Sequence, residues 1–300
     1  MNVFAVIVTY NAMRRQWITK CLDALNNSSV KIIPVVVDNN SSDDTTKYIP
    51  QKYPNLIWLP QKSNLGFGKA NNIGIKYALD NDADYILLIN QDAFLEYDAI
   101  NKMISFDDSS SVLSPVHLNG EGSNLDNGFL NMIAVNPMKI INKFLLDKDS
   151  SPCVEVGMVN AACWLLPAKI VKTIGGFNPL FFHYGEDNNY MHRLNYFNFK
   201  ILLVTNAFMK HDRNEHGDMK MFYHKRLRRD FLLVATNINL NWKQRIKEYL
   251  KILKKCYFKY LPQNKYIIGE FLWERIRIMS QIHTIRKSRN IEKNIGLTWL

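Results

Sequence analysis

The stretch Tyr85–Phe94, YILLINQDAF, decides the fold. Ile86, Leu87, Leu88 and Ile89 make a short, unbroken apolar run, the pattern of a strand buried on both faces, as in a parallel sheet covered by helices. The run ends in Asn90, Gln91 and a single acid, Asp92. Ligands on open α/β sheets bind beyond the carboxyl ends of the strands, so a carboxylate there is placed for chemistry. The competing reading makes Asp92 the cap of a helix formed by AFLEYDAINKMI.

The same texture continues on either side. Val3–Thr9, Lys31–Val37 and Leu56–Leu59 read as strands. Trp17, Cys21, Leu22 and Leu25 recur at helical spacing, Ser41–Asp44 opens a second helix with capping residues, and Gly66–Leu79 forms a third. Gly74 costs that helix some propensity. Strands alternating with helices predict an α/β fold with a mostly parallel, doubly wound sheet and right-handed crossovers. After Val112–Pro115 a segment rich in Asn, Gly, Asp and Ser, Asn119–Asp149, reads as a loop or small-helix insertion. Gly157–Leu166 resumes as a strand, Pro167–Thr173 as a helix, Glu186–Tyr196 as another helix and Lys200–Val204 as a last strand. From Lys225 the pattern is helical and basic. The expected division is 1–219 for the α/β domain and 220–300 for a basic helical extension, packed on the domain because no Gly/Ser or Pro-rich linker separates them.

Composition narrows the class. A chain of 300 residues with 47% hydrophobic and 22% charged residues has ample core and is not disordered. No apolar stretch approaches the roughly 20 residues a membrane-crossing helix needs. The start, MNVFAVIVTYN, reads as a first strand rather than a leader. Cys21, Cys153, Cys163 and Cys256 form no CxxC pair and no metal spacing, so reduced thiols and a cytoplasmic location are expected. Of the 38 Lys and Arg, 19 lie between Lys220 and Leu300, against 5 of the 27 acids. That concentration points to an acidic partner, and bases interleaved with Leu, Ile, Trp, Tyr and Phe suit an anionic membrane surface. A solvated helical extension, or a contact between copies, is the alternative reading of the same region. Nucleic acid is set aside, because no recognition motif and few stacking aromatics accompany the charge.

Three loops follow three early strands: Thr9-Tyr10-Asn11, Asp38-Asn39-Asn40-Ser41 and Asn90-Gln91-Asp92. Parallel strands end on one side, so all three should share one edge. A fourth polar segment, Ser63–Asn72 (SNLGFGKANN), turns on glycine into a helix, where backbone N–H groups can meet a phosphate. There is no GxGxxG fingerprint and no GxxxxGK[ST] loop, which disfavours a dinucleotide or P-loop site.

In order and spacing, VIVTYN, VVDNNSSDDT, NLGFGKANNIG, LLINQDA and GGFNPLFFHYGEDNNYMHRL resemble the family 2 glycosyltransferases of the GT-A fold, over roughly Val3 to His211, and most nearly the rhamnosyltransferase-like members that build bacterial surface polysaccharides. The resemblance implies an inverting enzyme that takes a sugar from a dTDP- or UDP-sugar to a glycan or lipid-linked glycan, using Mg²⁺ or Mn²⁺, in the cytoplasm or on the inner face of the cell membrane. Asp92 matches the last acid of the family's DxD metal motif, whose first acid is here Asn90, a residue left to contact ribose or a metal-bound water. Asp38 matches the acid that reads the nucleoside, with Thr9, Asn11, Asn64 and Lys69 as walls of the same pocket. Glu186-Asp187 matches the acidic pair whose second member is the base, with Glu186 fixing the acceptor or orienting its neighbours, and a helix N-terminus keeps such a carboxylate ionised. His211 matches the histidine that completes the metal shell, with His216 as a substitute. Trp164 and Phe181-Phe182 are candidates for the sugar cleft or for the core, and Arg193 for phosphate or for an ion pair. Because Asn90 replaces an acid, a catalytically silent nucleotide-sugar or glycan-binding module is the alternative.

Overall fold

The computed structural model describes residues 1–133, 140, 142, 152–213, 219–260 and 267–300. Its centre is a nine-stranded sheet built from β1 (Val3–Thr9), β2 (Ile32–Asp38), β3 (Ile57–Pro60), β4 (Tyr85–Ile89), β5 (Ala93–Leu95), β6 (Ser111–Asn119), β7 (Cys153–Glu155), β8 (Cys163–Pro167) and β9 (Lys200–His211). The spatial order is β3-β2-β1-β4-β8-β6-β9-β5, with β7 also paired to β9. The first four strands pair in parallel, as their alternation with helices predicts, and β6 pairs in parallel with β9. β8 enters antiparallel between β4 and β6, and β5 and β7 run antiparallel to β9, so the sheet is mixed beyond β4.

The opening stretch behaves as its composition requires. Ile86 and Leu88 of β4 point into one core with Val6, Val37, Trp164 and Phe177, while Leu87 and Ile89 point into the other with Ile7, Ile18, Leu22 and Met103. Every residue of the strand after Tyr85 is buried. The second core lies under α1 (Trp17–Asn26), α2 (Thr45–Lys52) and α4 (Ala99–Ile104); the first lies under α3 (Phe67–Asp80), α6 (Ala168–Ile174) and α7 (Glu186–Tyr196). Gly74 of α3 has a packing reason: a Cβ there would fall 2.3 Å from a methyl of Val6, so the glycine lets the helix lie close on β1. The helix expected over AFLEYDAINKMI is confined to Ala99–Ile104, because Ala93–Leu95 pairs with Met209–His211 as a strand. Asp92 therefore caps no helix; it sits at the turn between β4 and β5.

The expected loop over Asn119–Asp149 begins as the end of β6 and a short helix, α5 (Asn127–Ile133); most of the remainder lies outside the described residues. The basic region forms α8 (Met219–Thr236), α9 (Trp242–Lys255), α10 (Ile267–Ser280) and α11 (Ile282–Glu292). It packs on the α/β layers through buried polar contacts. Asn178 Nδ2 donates to Ser288 Oγ and Glu292 Oε1 at 2.8 Å, and the Gly176 and Gly296 N–H groups bond to Thr298 and Thr173 carbonyls. Fully buried Arg193 donates to the Gly176 carbonyl and to Thr298 Oγ1, so this arginine joins the tail to the domain instead of facing a phosphate.

Candidate active site

β1, β2 and β4 deliver their polar ends to one edge of the sheet. Thr9 and Asp38 are register partners at the ends of β1 and β2, and both are buried. Asp38 accepts hydrogen bonds from Thr9 Oγ1 at 3.2 Å, the Ser41 N–H at 3.1 Å and Ser41 Oγ at 2.5 Å. Asn11, in the left-handed region, donates its N–H to Ser41 Oγ and accepts from the Ser42 N–H, which fixes the two loops to each other. Asn39 extends the chain of bonds: its Nδ2 donates to Asn64 Oδ1 and its Oδ1 accepts from the Leu65 N–H. These bonds order the loops that wall a cleft of about 410 Å³, lined by Tyr10, Asn39, Asn64, Gly66, Asp92 and Phe182 among others.

Gly66 is required where it stands. Its φ is +81°, and a Cβ would meet the Phe182 carbonyl oxygen at 2.1 Å. That carbonyl accepts the Phe67 N–H at 3.0 Å, tying the start of α3 to the segment that leads into α7. Phe182 and His183 line the cleft, whereas Phe181 and Trp164 are buried in the core, Trp164 stacked on Phe177. Of the three aromatics expected at the cleft or in the core, Phe182 alone reaches the cleft.

Asp92 and Asn90 both line the cleft. His211, at the end of β9, is buried and holds Nε2 3.3 Å from Asp92 Oδ1. The pairing of Ala93 with His211 across β5 and β9 is what brings the two together. Asn90 Oδ1 is buried without a hydrogen-bond partner. A carboxylate, an unsatisfied amide oxygen and an imidazole nitrogen are donors that suit Mg²⁺ or Mn²⁺. Among the described residues no three His, Cys, Asp or Glu side chains gather to hold an ion alone. The set therefore fits a cation that takes its other ligands from phosphate and water.

Two neighbours of His211 belong to no motif of the sequence. Arg213 Nε donates to His211 Nδ1 at 3.1 Å and pairs with buried Asp126 Oδ2 at 2.8 Å. Asp126 Oδ2 stands 3.9 Å from His211 Nδ1, beyond hydrogen-bond distance, so it reaches the imidazole only through Arg213, which bridges the two. Nothing in periodicity marks Asp126; only its position at the start of α5 beside β9 does.

Glu186 and Asp187 open α7 after Gly185, which takes φ +97°. Glu186 is 5% exposed and its Oε2 has no partner. Burial, with the adjacent Asp187 charge second, pushes its carboxyl up to about 8. Asp187 is more open and is also raised by burial, against the opposing pull of the Asn188 N–H, which bonds it at 2.7 Å, and of the Arg229 charge. The helix end was expected to keep this pair ionised; burial outweighs it. Of the two, only Asp187 has a cation, Arg229, opposing the rise, which favours the charge there over Glu186. Lys69 is exposed and lines a different groove, with Leu59, Tyr77, Pro179 and Trp299, so it does not join the cleft at Asn39 and Asp92. His216 lies outside the described residues.

Residues 4–173, more than half of the chain, match the family described as glycosyl transferase family 2. Among characterised proteins, the chain is 25% identical over 167 residues to the low-salt glycan biosynthesis hexosyltransferase Agl10 of Haloferax volcanii, covering 53% of this chain and 52% of the relative. It is 30% identical over 125 residues to the dTDP-rhamnosyl transferase RfbF of Shigella flexneri, covering 41% and 40%. The chain thus spans about half the length of the curated relatives it matches. Among solved structures it resembles S. aureus TarS 1-349 in complex with UDP (TM-score 0.56, 16% identity, 98% of this chain and 89% of that one). GalNAc-T7 with UDP, GalNAc and Mn2+ superposes with TM-score 0.61 at 12% identity, covering 95% of this chain and 57% of that one. At such identities the structures speak for the fold, and they agree with the mostly parallel, helix-flanked sheet. Family match and fold converge: the chain belongs to glycosyl transferase family 2.

Proposed function

We propose that the protein is an inverting glycosyltransferase that binds a dTDP- or UDP-sugar in the cleft at the ends of β1, β2 and β4 and passes the sugar to a glycan or lipid-linked glycan. The observation that carries this reading is the placement of Asp38, Asn90 and Asp92 on one sheet edge, with the Glu186–Asp187 pair tied to the same cleft through Gly66 and Phe182. The relatives named for hexosyl and dTDP-rhamnosyl transfer support the donor class.

Each side chain has a task in this reading. Asp38, buried at the end of β2 next to the cleft-lining Asn39 and held by Thr9 and Ser41, is the carboxylate assigned to accept hydrogen bonds from the base or ribose. Asn64 and Asn39 shape the wall beside it. Asp92, His211 and Asn90 would hold Mg²⁺ or Mn²⁺, which supplies Lewis acidity to a departing diphosphate. Asp187 takes the proton of the acceptor hydroxyl as it attacks; burial raises its proton affinity, which makes it a stronger base than an ordinary carboxylate, against the opposing pull of the Asn188 N–H and the Arg229 charge. Glu186, whose burial raises its carboxyl, packs against α3, where a Cβ on Gly68 would meet the Glu186 Cβ at 3.6 Å.

The experiment is turnover of UDP- and dTDP-sugars with Mn²⁺, read as released nucleoside diphosphate in the presence of candidate glycan acceptors. Release that depends on acceptor and is lost in Asp187→Asn supports transfer. Saturable donor binding with no release under any acceptor would assign the chain to the silent-module alternative.

A further inference from the structure

α9 packs one edge of its apolar face and leaves the other exposed. At about 100° per residue, the apolar residues of Trp242–Lys255 and the adjoining Cys256 and Tyr257 form an arc of roughly 160°. One edge of it, Tyr249, Ile252 and Cys256, packs on Leu227 and Phe231 of α8. The other edge points outward: Trp242, Ile246, Leu250 and Tyr257 are all more than half exposed. Beside that edge runs a row of exposed lysines, Lys243, Lys247, Lys251 and Lys254, next to the stripe in helical projection. The helix holds six bases and one acid, and Glu248 is paired with Lys251 at 2.6 Å. α10 repeats the pattern. Its Ile278 faces α8, whereas Leu272, Trp273, Ile276 and Met279 are each more than half exposed.

We propose that the outward edge of α9 seats on the surface of an anionic lipid bilayer, with α10 contributing further apolar contact. An apolar stripe with Trp and Tyr, fringed by lysines on one side and fixed to a folded domain on the other, has the composition of an interfacial helix. Its charge is what selects a bilayer over a protein partner: four lysines in a row complement a continuous field of phosphates. No helix among the described residues is long and apolar enough to cross a membrane. The proposal stands on this face alone and does not require the transfer reading. The connection to it is that α8, on which α9 lies, also carries Arg229 beside Asp187.

The test is sedimentation of the full chain with vesicles of phosphatidylcholine alone or with phosphatidylglycerol added, at low and high salt. The wild type is expected on the anionic vesicles, released by salt. K243Q/K247Q/K251Q should weaken this on the order of a hundredfold, and W242S/I246S/L250S should remove it, with circular dichroism unchanged. Equal sedimentation with both vesicle types, no sedimentation with either, or full retention in the lysine variant overturns the proposal. So does a dimer in light scattering that W242S/I246S/L250S converts to monomer, since a second copy would then cover this face. Nucleotide-sugar binding measured without vesicles keeps the two readings separable: its loss would leave the vesicle result standing.

Discussion

Glu186 is an acid whose removal should stabilise the protein. It is buried, its Oε2 has no hydrogen-bond partner, and a second carboxyl lies beside it. In the unfolded chain it loses its proton near the ordinary 4.5; in the fold it holds it to about 8. Between those values the native state binds the proton and the unfolded state does not, so stability falls as pH rises, by about 1.4 kcal/mol per pH unit. Over the two to three units from pH 5 to pH 7.5 the loss amounts to about 3 kcal/mol as an upper figure, since Asp187 shares the titration. Glu186→Gln keeps the shape and removes the charge. Urea unfolding from pH 5 to 8 should therefore show wild type and variant nearly equal at pH 5, with the variant gaining on the wild type as pH rises. A stability difference that stays constant with pH, or one that favours the wild type at pH 8, would refute the buried-proton argument.

Asp187→Asn should lower turnover by about 10²- to 10⁴-fold with donor affinity nearly intact, the usual share of a general base. Because the base must be deprotonated and burial raises it, the acid limb of the wild-type pH–rate profile should lie above the ordinary carboxylate range; a limb below pH 4 would contradict this. Asp92→Ala should abolish cation-dependent donor binding, measured by calorimetry with and without Mn²⁺, while circular dichroism is unchanged; retained cation dependence would remove Asp92 from the site. Gly66→Ala should cost about 2 to 3 kcal/mol in urea unfolding, from a non-glycine residue at φ +81° and loss of the Phe67–Phe182 hydrogen bond.

Much of this site was legible because strand ends announce themselves. The run Ile86–Ile89 ending in Asn90-Gln91-Asp92 located the edge, and the parallel register of β1 with β2 and β4 brought Thr9, Asp38 and Asp92 to it. The half of the sheet beyond β4 was less legible. β8 is a late segment inserted antiparallel beside an early strand, a pairing that no local pattern encodes. The expected helix from Ala93 yielded to a three-residue strand because β9 supplied an edge to pair with. Asp126 and Arg213 were missed for the same reason: they meet His211 only once β6, α5 and β9 are assembled. Lys69 was misplaced by helical phase, since it turns from the cleft toward Trp299. The ionisation of Glu186 depends on burial depth, which a helix N-terminus read from sequence does not contain.

Whether the cleft at the strand ends binds a nucleotide-sugar with the help of a divalent cation is decided by titration calorimetry. UDP- and dTDP-sugars are titrated into the wild-type protein, once with Mn²⁺ and once with chelator. Saturable binding at one site is expected for at least one of the two nucleotides, markedly weaker when the cation is chelated. No saturable binding of either nucleotide in the presence of Mn²⁺ would contradict the assignment of the cleft.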